Sequence, residues 1–273
     1  MDTTISIISY NMHGFNQGEK LVNYFCSDSD ADVDIIMLQE SWLTPANLYK
    51  LEKFNDRYSF YGISAMERAV SQSVIRGRPW GGCGILMKTS LTKNISYHKC
   101  SERFVILAFE KFLLINSYFP KINTDIDLCV VQSVLTKIEE AINLFPNLEI
   151  VWGGDFNINL EITSKYSDVF TRFMSTFDLL TCNTIIKCNL KYTYFHESMQ
   201  HFSLVDHFLI SKGLMSLLLD FKGLDLAFNL SDHIPVFIKL NLFVKKDVES
   251  HIPFVGVNSA NVQKKLRWDH ANL

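Results

Sequence analysis

The 273-residue sequence contains no apolar run long enough to cross a membrane. Its first residues lack the basic segment followed by an apolar one that directs secretion, so we expect an intracellular protein. The six cysteines are scattered, and no two have the C-x-x-C spacing of zinc sites. We therefore predict reduced, mostly buried thiols, no structural zinc and no membrane partner.

A strong charge of either sign is also missing. Lysine and arginine total 26, aspartate and glutamate 29, and the net charge is −3. Proteins that coat nucleic acid without sequence preference are usually basic, so this role is disfavoured, whereas an enzyme whose acidic site binds metal ions is not. Three catalytic motifs are absent as well: G-x-S-x-G, H-E-x-x-H and G-x-x-x-x-G-K-[ST].

The most informative stretch runs from 148 to 157. Residues 148–152 are rich in β-branched and apolar side chains, which predicts a strand buried on both faces. Two glycines follow, where the chain can turn tightly or let another group approach its backbone. Asp155 and Asn157 come next, and alternate residues at a strand end face the same way. They form either an ordinary Asp/Asn turn or a carboxylate and a carboxamide directed into one small volume.

The same pattern, an apolar run that ends in a polar side chain, recurs along the chain. Each instance alone is also explained by a turn or by solvent exposure. Asp206, however, lies in the middle of a predicted strand at 203–210, where an unpaired carboxylate is costly. His233 is the candidate partner, although a lone histidine is equally compatible with a structural role. The polar residues at or beside strand ends are Asn11, Glu40, Tyr118, Asp155, Asn157, Asp206, Asp232 and His233.

Helical periodicity separates the predicted strands. The region 58–117 is typical of antiparallel hairpins, with an exposed loop at 67–80. Near the end the composition becomes charged and loses periodicity, which indicates a linker. We therefore place one domain at 1–243 and a linker at 244–273. Helices are predicted at 17–25, 44–54, 124–145 and 166–180.

Converging carboxylates repel one another unless a cation is present. Oxygen donors that include amides suit Mg²⁺ or Mn²⁺. A metal ion with a carboxylate base and a histidine beside an anion-binding amide suits hydrolysis of phosphodiesters or phosphomonoesters.

Six short motifs follow one another along the chain. They are Tyr-Asn-Met-His-Gly (10–14), Leu-Gln-Glu (38–40), Ser-Tyr-Phe-Pro (117–120), Gly-Gly-Asp-Phe-Asn (153–157), Ser-Leu-Val-Asp-His (203–207) and Ser-Asp-His (231–233). In this order they resemble the endonuclease/exonuclease/phosphatase superfamily, which includes deoxyribonuclease I and the exonuclease III type apurinic endonucleases. The resemblance covers about residues 5–243.

Within this superfamily the sequence is most similar to the endonuclease domain of LINE-type (non-LTR) retrotransposon polyproteins. The similarity is carried by residues 11–16 and by Tyr-Thr-Tyr-Phe (192–195) followed by 203–207. Residues 267–273 are similar to the linker motif that precedes the reverse transcriptase in such polyproteins.

The resemblance implies an α/β (α+β) four-layered sandwich, in which two packed mixed β-sheets are flanked by helices and the site lies where strand ends meet. It also implies catalytic roles. Asp155 would orient or deprotonate the attacking water, and Asn157 would hold the scissile phosphate. His233, oriented by Asp206, would stabilise transition-state charge, and Tyr118 would donate a hydrogen bond to the phosphate or leaving group.

The implied metal is Mg²⁺, for which Mn²⁺ may substitute, bound by Glu40 with Asn11 beside it and Asp232 assisting. Thr193 and Ser231 would position the DNA backbone or groups behind the site. For three further DNA contacts a solvated surface position is the alternative: His196, His201 and Arg76.

The sequence thus leads to the hypothesis of a Mg²⁺-dependent DNA endonuclease that nicks one strand and leaves a 3′-hydroxyl primer for target-primed reverse transcription. Its partners would be double-stranded DNA and the reverse transcriptase region of the same polyprotein. We expect the isolated domain to be monomeric. It would act in the nucleus after passage through the cytoplasm. The alternatives are an apurinic-site repair endonuclease, another phosphodiesterase or phosphatase of the same fold, and a degenerate copy kept as a binding module. Phe15-Asn16 stands where the repair group has Leu-Arg.

Overall fold

Two mixed β-sheets packed face to face form the centre of the structure. The computed structural model describes residues 4–27, 31–72, 77–186 and 190–242. The linker predicted at 244–273 lies outside these residues, as does Arg76. Within the described ranges no helix is both long and apolar enough to cross a membrane.

Strands and helices alternate along the chain. The strands are β1 (Thr4–Asn11), β2 (Ile35–Gln39), β3 (Tyr58–Ile63), β4 (Cys83–Lys88), β5 (Tyr97–Cys100), β6 (Phe104–Ala108), β7 (Phe112–Tyr118), β8 (Glu149–Asp155), β9 (Leu179–Thr181), β10 (Tyr194–His196), β11 (His201–Ser203), β12 (Asp206–Ser211), β13 (Leu218–Gly223) and β14 (Val236–Asn241). The helices are α1 (Phe15–Cys26), α2 (Tyr49–Glu52), α3 (Glu67–Gln72), α4 (Thr89–Thr92), α5 (Asp125–Leu144), α6 (Ser167–Thr176) and α7 (Cys182–Ile185).

The strand order is β13-β14-β1-β2-β4-β3 in the first sheet and β5-β6-β7-β8-β12-β9 in the second. Each sheet contains one parallel pair, β1 with β2 and β7 with β8, and its other pairs are antiparallel. Strands of a parallel pair end at the same edge. The polar residues at the ends of β1 and β2 are therefore neighbours, and so are those at the ends of β7 and β8.

Three apolar layers stabilise this arrangement. The first lies between the two sheets, where Met37 of one sheet and Val151 and Phe208 of the other are fully or almost fully buried. Helices α5 and α6 cover the outer face of the second sheet, and α1 covers that of the first. The order helix, sheet, sheet, helix confirms the four-layered sandwich predicted from the sequence.

The two glycines of β8 allow the strands to approach closely. Both lie inside the strand and not in a turn. Gly154 has φ 151°, and a Cβ added there would lie 2.0 Å from the carbonyl oxygen of Ser117 on β7. Only glycine fits this contact without displacing the neighbouring backbone. Close backbone approach is therefore the reason for Gly154. A Cβ at Gly153 would instead lie 2.6 Å from Phe208 Cε1 and 2.7 Å from Met37 Sδ, so this glycine makes room for side chains between the sheets.

Several local predictions were wrong. The helix predicted at 44–54 is a 3-10 turn at Pro45–Asn47 followed by the short α2, and the loop predicted at 67–80 begins with α3. The strand predicted at 203–210 is interrupted, so Asp206 is the first residue of β12 and does not lie in mid-strand. Strands β9 and β13 carry no periodic signal, because one is three residues long and the other is half exposed.

Candidate active site

The ends of four strands meet at one edge of the sandwich. Asn11 is the last residue of β1, and Glu40 directly follows β2 in the same sheet. Tyr118 ends β7 and Asp155 ends β8 in the other sheet. Asp206, at the start of the antiparallel β12, pairs with Asp155 across the ladder. The topology therefore brings residues that are far apart in the sequence to one place.

Asn11 joins the two sheets at this edge. Its Nδ2 donates to Asp155 Oδ2 at 2.9 Å and to Glu40 Oε1 at 3.1 Å. Its Oδ1 accepts from the backbone N–H of His13 at 3.0 Å, which fixes the orientation of the carboxamide. Asn11 is 1% exposed. One buried amide thus holds a carboxylate of each sheet.

Asn157 orients the Asp155 carboxylate. Its backbone N–H donates to Asp155 Oδ1 at 2.8 Å, and its Nδ2 donates to Asp155 Oδ2 at 3.1 Å and to the Phe119 carbonyl at 2.9 Å. Asn157 has φ 52°, a left-handed conformation in which asparagine is enriched. Both side-chain protons are used inside the protein, so in this arrangement Asn157 positions Asp155 and does not present a free donor to a phosphate.

Asp155 is almost fully buried, and this controls its ionisation. Burial and, after it, the nearby charge of Asp206 raise its pKa to about 8, against the opposing charge of His233 and the hydrogen bonds from Asn157 and Asn11. A carboxyl with a pKa near neutrality is well matched to accept a proton from a nucleophile. The geometry therefore suits Asp155 to the role of general base.

Asp206 and His233 form a buried pair. His233 Nδ1 and Asp206 Oδ2 are 2.8 Å apart. Burial lowers the pKa of His233, but the charge of Asp206 and its hydrogen bond outweigh burial and raise the pKa to about 10. Thr193 Oγ1 in turn accepts from the backbone N–H of Asp206 at 2.9 Å. The pairing expected from the sequence is present, and the histidine is held as a cation.

Glu40 is half buried and held by aromatic donors. The indole Nε1 of Trp42 donates to Glu40 Oε2 at 3.0 Å. Tyr118 is hydrogen-bonded to Glu40, and its pKa is raised by burial, by the charges of Glu40 and Asp155 and by that hydrogen bond. Tyr118 is therefore kept as a protonated donor. Glu40 itself has φ 52°, and such conformations in residues other than glycine often occur at functional sites.

Asp232 contacts His13, a residue for which the sequence predicts no role. Its Oδ1 lies 2.8 Å from His13 Nδ1. Burial raises the pKa of Asp232, but the hydrogen bond from His13 and the charge of His233 outweigh it, and the pKa is lowered. Asp232 is thus ionised and shares its charge with His13, so its predicted part in metal binding competes with this contact.

The predicted substrate contacts differ in their surroundings. Thr193 is fully buried, which excludes direct contact with DNA and leaves the positioning of Asp206 as its role. Ser231 Oγ donates to the Asn11 carbonyl at 2.8 Å and accepts from the backbone N–H of His233 at 3.1 Å, so it joins two site segments. His196 accepts from the Met199 N–H at 3.3 Å within the hairpin β10-β11, and His201 is exposed on the same hairpin.

The donor set fits a divalent cation. Asp155, Asp206 and His233 each place a potential ligand atom within 4.8 Å of the others, but His233 is held as a cation and would have to lose its proton to bind a metal ion. Asp206 Oδ1 is buried and has no hydrogen-bond partner among the described residues, which marks a place for a cation or a proton. Glu40 adds a half-buried carboxylate beside Asn11. Glu40 would hold the ion on the open side of the site, with the aspartates behind it. Asn11, predicted as a second ligand there, turns its Nδ2 to the carboxylates while its Oδ1 accepts from the His13 N–H, so in this arrangement it orients Glu40 and Asp155.

A four-layered sandwich with such a site at one edge defines a class of phosphoester-processing folds. The chain belongs to the endonuclease/exonuclease/phosphatase family, whose family model matches residues 8–233. A search of curated proteins finds no match.

Solved structures agree on the fold. The AP endonuclease LMAP from Leishmania major is similar with a TM-score of 0.66 and 15% identity, over 88% of each chain. The 3′-5′ exonuclease NExo from Neisseria meningitidis has a TM-score of 0.65 and 16% identity, over 87% of this chain and 100% of its own. A Neisseria 3′ phosphatase NExo bound to a product DNA hairpin has a TM-score of 0.62 and 16% identity, with the same coverage.

Proposed function

We propose that this chain is a divalent-metal-dependent DNA endonuclease that nicks one strand of a duplex and leaves a 3′-hydroxyl. One observation carries the proposal. A single buried amide, Asn11, holds Asp155 and Glu40 together, and Asp155 lies beside the Asp206–His233 pair. A carboxylate base, a protonated histidine and a half-buried carboxylate for the metal ion are thereby combined in one site.

Each residue then has a physical task in phosphodiester hydrolysis. Burial keeps a proton on Asp155 at neutral pH, so Asp155 would act as the base once a bound cation has displaced that proton. The ionised carboxylate would then accept a proton from the attacking water. His233, kept cationic by Asp206, stabilises the negative charge that grows on the phosphate oxygens. Tyr118 remains protonated and donates a hydrogen bond to the phosphate or to the leaving oxygen. A bound Mg²⁺ would polarise the phosphate and lower the pKa of water.

The hairpin β10-β11 borders the same edge and is suited to contact DNA. Tyr194 forms a β-bridge with His233, and the Phe195 N–H donates to the Asp232 carbonyl at 2.9 Å, which fixes the hairpin to the site. Phe195 and Phe202 stack with ring centroids 4.5 Å apart, and Phe202 is 51% exposed. We assign the preference for particular DNA targets to this hairpin. It would recognise the shape of a DNA groove and contact the DNA backbone.

The biological setting is part of the proposal. The motif pattern resembles LINE-type endonuclease domains, and a 3′-hydroxyl at a nick is a primer that a linked reverse transcriptase can extend. The partners are then double-stranded DNA and the reverse transcriptase region of a polyprotein, and the place of action is the nucleus. The near-neutral charge of −3 supports weak DNA binding by this domain alone.

Relaxation of a supercoiled plasmid tests the proposal. The wild-type protein with Mg²⁺ is expected to convert the plasmid to the open circle, and EDTA, Asp155→Ala and His233→Ala are each expected to abolish nicking. Asn147→Ala, an exposed loop substitution, serves as the control and should nick normally. Strong preference for a duplex with one abasic site would favour a repair endonuclease instead. Folded protein that cleaves neither substrate would refute the nuclease assignment.

A further inference from the structure

The indole of Trp42 connects Glu40 to the protein surface. Its Nε1 donates to Glu40 Oε2 at 3.0 Å, and its backbone N–H donates to the Gly81 carbonyl at 2.9 Å. Trp42 has φ 53°, which is uncommon for a residue other than glycine. A Cβ added to Gly14 would lie 2.5 Å from Trp42 Cε3, so the neighbouring loop also packs tightly on the ring. The indole is therefore fixed in position.

Two other groups contact the same ring. The His13 ring lies 4.7 Å from it, centroid to centroid, at an interplanar angle of 61°. The Arg78 guanidinium carbon lies 4.0 Å from the ring centroid, well within the range of a cation–π contact. Trp42 thus links the carboxylate of Glu40, the Asp232-bound His13 and the cation of Arg78 in one contact group.

The guanidinium of Arg78 contacts an aromatic ring, as that of Arg103 does at the ring of Tyr118. Arg78 is exposed, and within the described ranges it has neither a carboxylate at ion-pair distance nor a hydrogen-bond acceptor for its guanidinium. Arg57, by comparison, pairs with Asp32, and Arg172 donates to the Asp168 carbonyl. Stacking on Trp42 therefore orients the guanidinium while its five N–H donors remain available.

We propose that Arg78, held against Trp42, binds a phosphate of the DNA strand on the Glu40 side of the site; the inference rests on the proposed function. A guanidinium binds phosphate through two parallel hydrogen bonds, and orientation by stacking reduces the entropy lost on binding. The carboxylates of Glu40, Asp155, Asp206 and Asp232 repel a polyanion. The fixed cation of Arg78 on the Glu40 side offsets that repulsion where the DNA strand enters the site. Trp80, two residues along the chain, is 47% exposed.

Direct DNA binding tests this contact without relying on cleavage. Fluorescence anisotropy of a labelled duplex in EDTA is measured across salt concentrations for the wild type, Arg78→Ala and Arg78→Lys. Arg172→Ala is the matched control, since it removes the same charge from an exposed position on α6. Arg78 is exposed and has no ion-pair partner within the described ranges, so its substitution should leave folding unchanged, which circular dichroism checks.

Arg78→Ala is expected to weaken binding about five- to tenfold and to reduce the slope of log K against log salt by about 0.9, the value for one phosphate contact. Arg78→Lys should restore the slope but only part of the affinity, because an ammonium lacks the planar stack. Arg172→Ala should match the wild type. An unchanged slope in Arg78→Ala, an equal loss in Arg172→Ala, or no binding by the wild type would overturn the inference. Arg78-dependent binding by a protein that does not nick plasmid would refute only the endonuclease proposal.

Discussion

His233 Nδ1 lies 2.8 Å from Asp206 Oδ2, and the two side chains are 7% and 1% exposed. An unpaired charge is costly at such a buried position, and each partner stabilises the ionised form of the other. The folded-state pKa of His233 is raised from its usual 6.5 to about 10. The pair therefore contributes stability that is fully present below 6.5 and is lost as the pH rises through about 10.

Asp206→Asn should shift the alkaline limb of the pH–rate profile for nicking to lower pH. The substitution removes the charge that raises the pKa of His233 and leaves burial, which lowers it. We expect the rate at neutral pH to fall about 10²-fold, a loss typical of removing a group that stabilises transition-state charge. The profile is measured by plasmid relaxation. An unchanged alkaline limb would show that His233 does not act as a cation.

Mg²⁺ binding should release protons at neutral pH. The pKa of Asp155 is raised from 3.8 to about 8, chiefly by burial, so the metal-free protein largely keeps this proton at pH 7, and a nearby dication drives it off. The raised pKa also means that metal-free stability falls as the pH rises from 3.8 to about 8. Calorimetry in buffers of different ionisation enthalpy counts the protons. Asp155→Asn should remove the release, and equal heats in all buffers for the wild type would contradict the prediction.

Glu40 and Asp232 should differ in their effect on metal affinity. Glu40 is half buried beside Asn11, whereas Asp232 Oδ1 lies 2.8 Å from His13 Nδ1. Glu40→Gln is expected to weaken Mg²⁺ binding by about 10- to 100-fold, and Asp232→Asn far less. Titration of the metal against intrinsic fluorescence measures both. A larger loss for Asp232→Asn would restore Asp232 as a principal ligand.

Asn116→Ala should destabilise the fold by about 3 kcal/mol, because three buried partners lose their hydrogen bonds. Asn116 is fully buried, and its Nδ2 donates to the carbonyls of Leu38 at 3.1 Å and Gly84 at 2.7 Å. Its Oδ1 accepts from Gln39 Nε2 at 2.6 Å. Urea unfolding measures the change, with the exposed Asn147→Ala as the control, expected within about 0.5 kcal/mol of the wild type. Equal stability of the two variants would disprove the structural role of Asn116.

Strand ends were predictable because a local pattern encodes them. An apolar run followed by a carboxylate or amide located Asn11, Glu40 and Asp155, and the parallel pairs brought them together. The exact extent of Asp206's strand was not predictable, because Leu204 and Val205 are apolar and buried without being part of the ladder. Burial and strand pairing are separate properties, and sequence periodicity reports only the first.

The residues that support the site were mostly missed. Trp42 contacts Glu40 through a backbone conformation, φ 53°, that no side-chain pattern reveals. The signal available in the sequence was the position of Trp42, two residues after Glu40. His13 and Asp232 are 219 positions apart, and Asn116 joins strands from two sheets. Such pairings depend on how the sheets pack, which a single sequence does not specify.

The pairing of β1 with β14 has a consequence for synthesis on the ribosome. Strand β1 is synthesised early, but one of its neighbours in the sheet is β14, and His233 lies three positions before the start of β14. The nascent polypeptide consequently has all four site carboxylates, Glu40, Asp155, Asp206 and Asp232, before it has His233. Under the proposed function, nuclease activity begins only after almost the whole domain has left the exit tunnel, so truncated translation products cannot damage DNA.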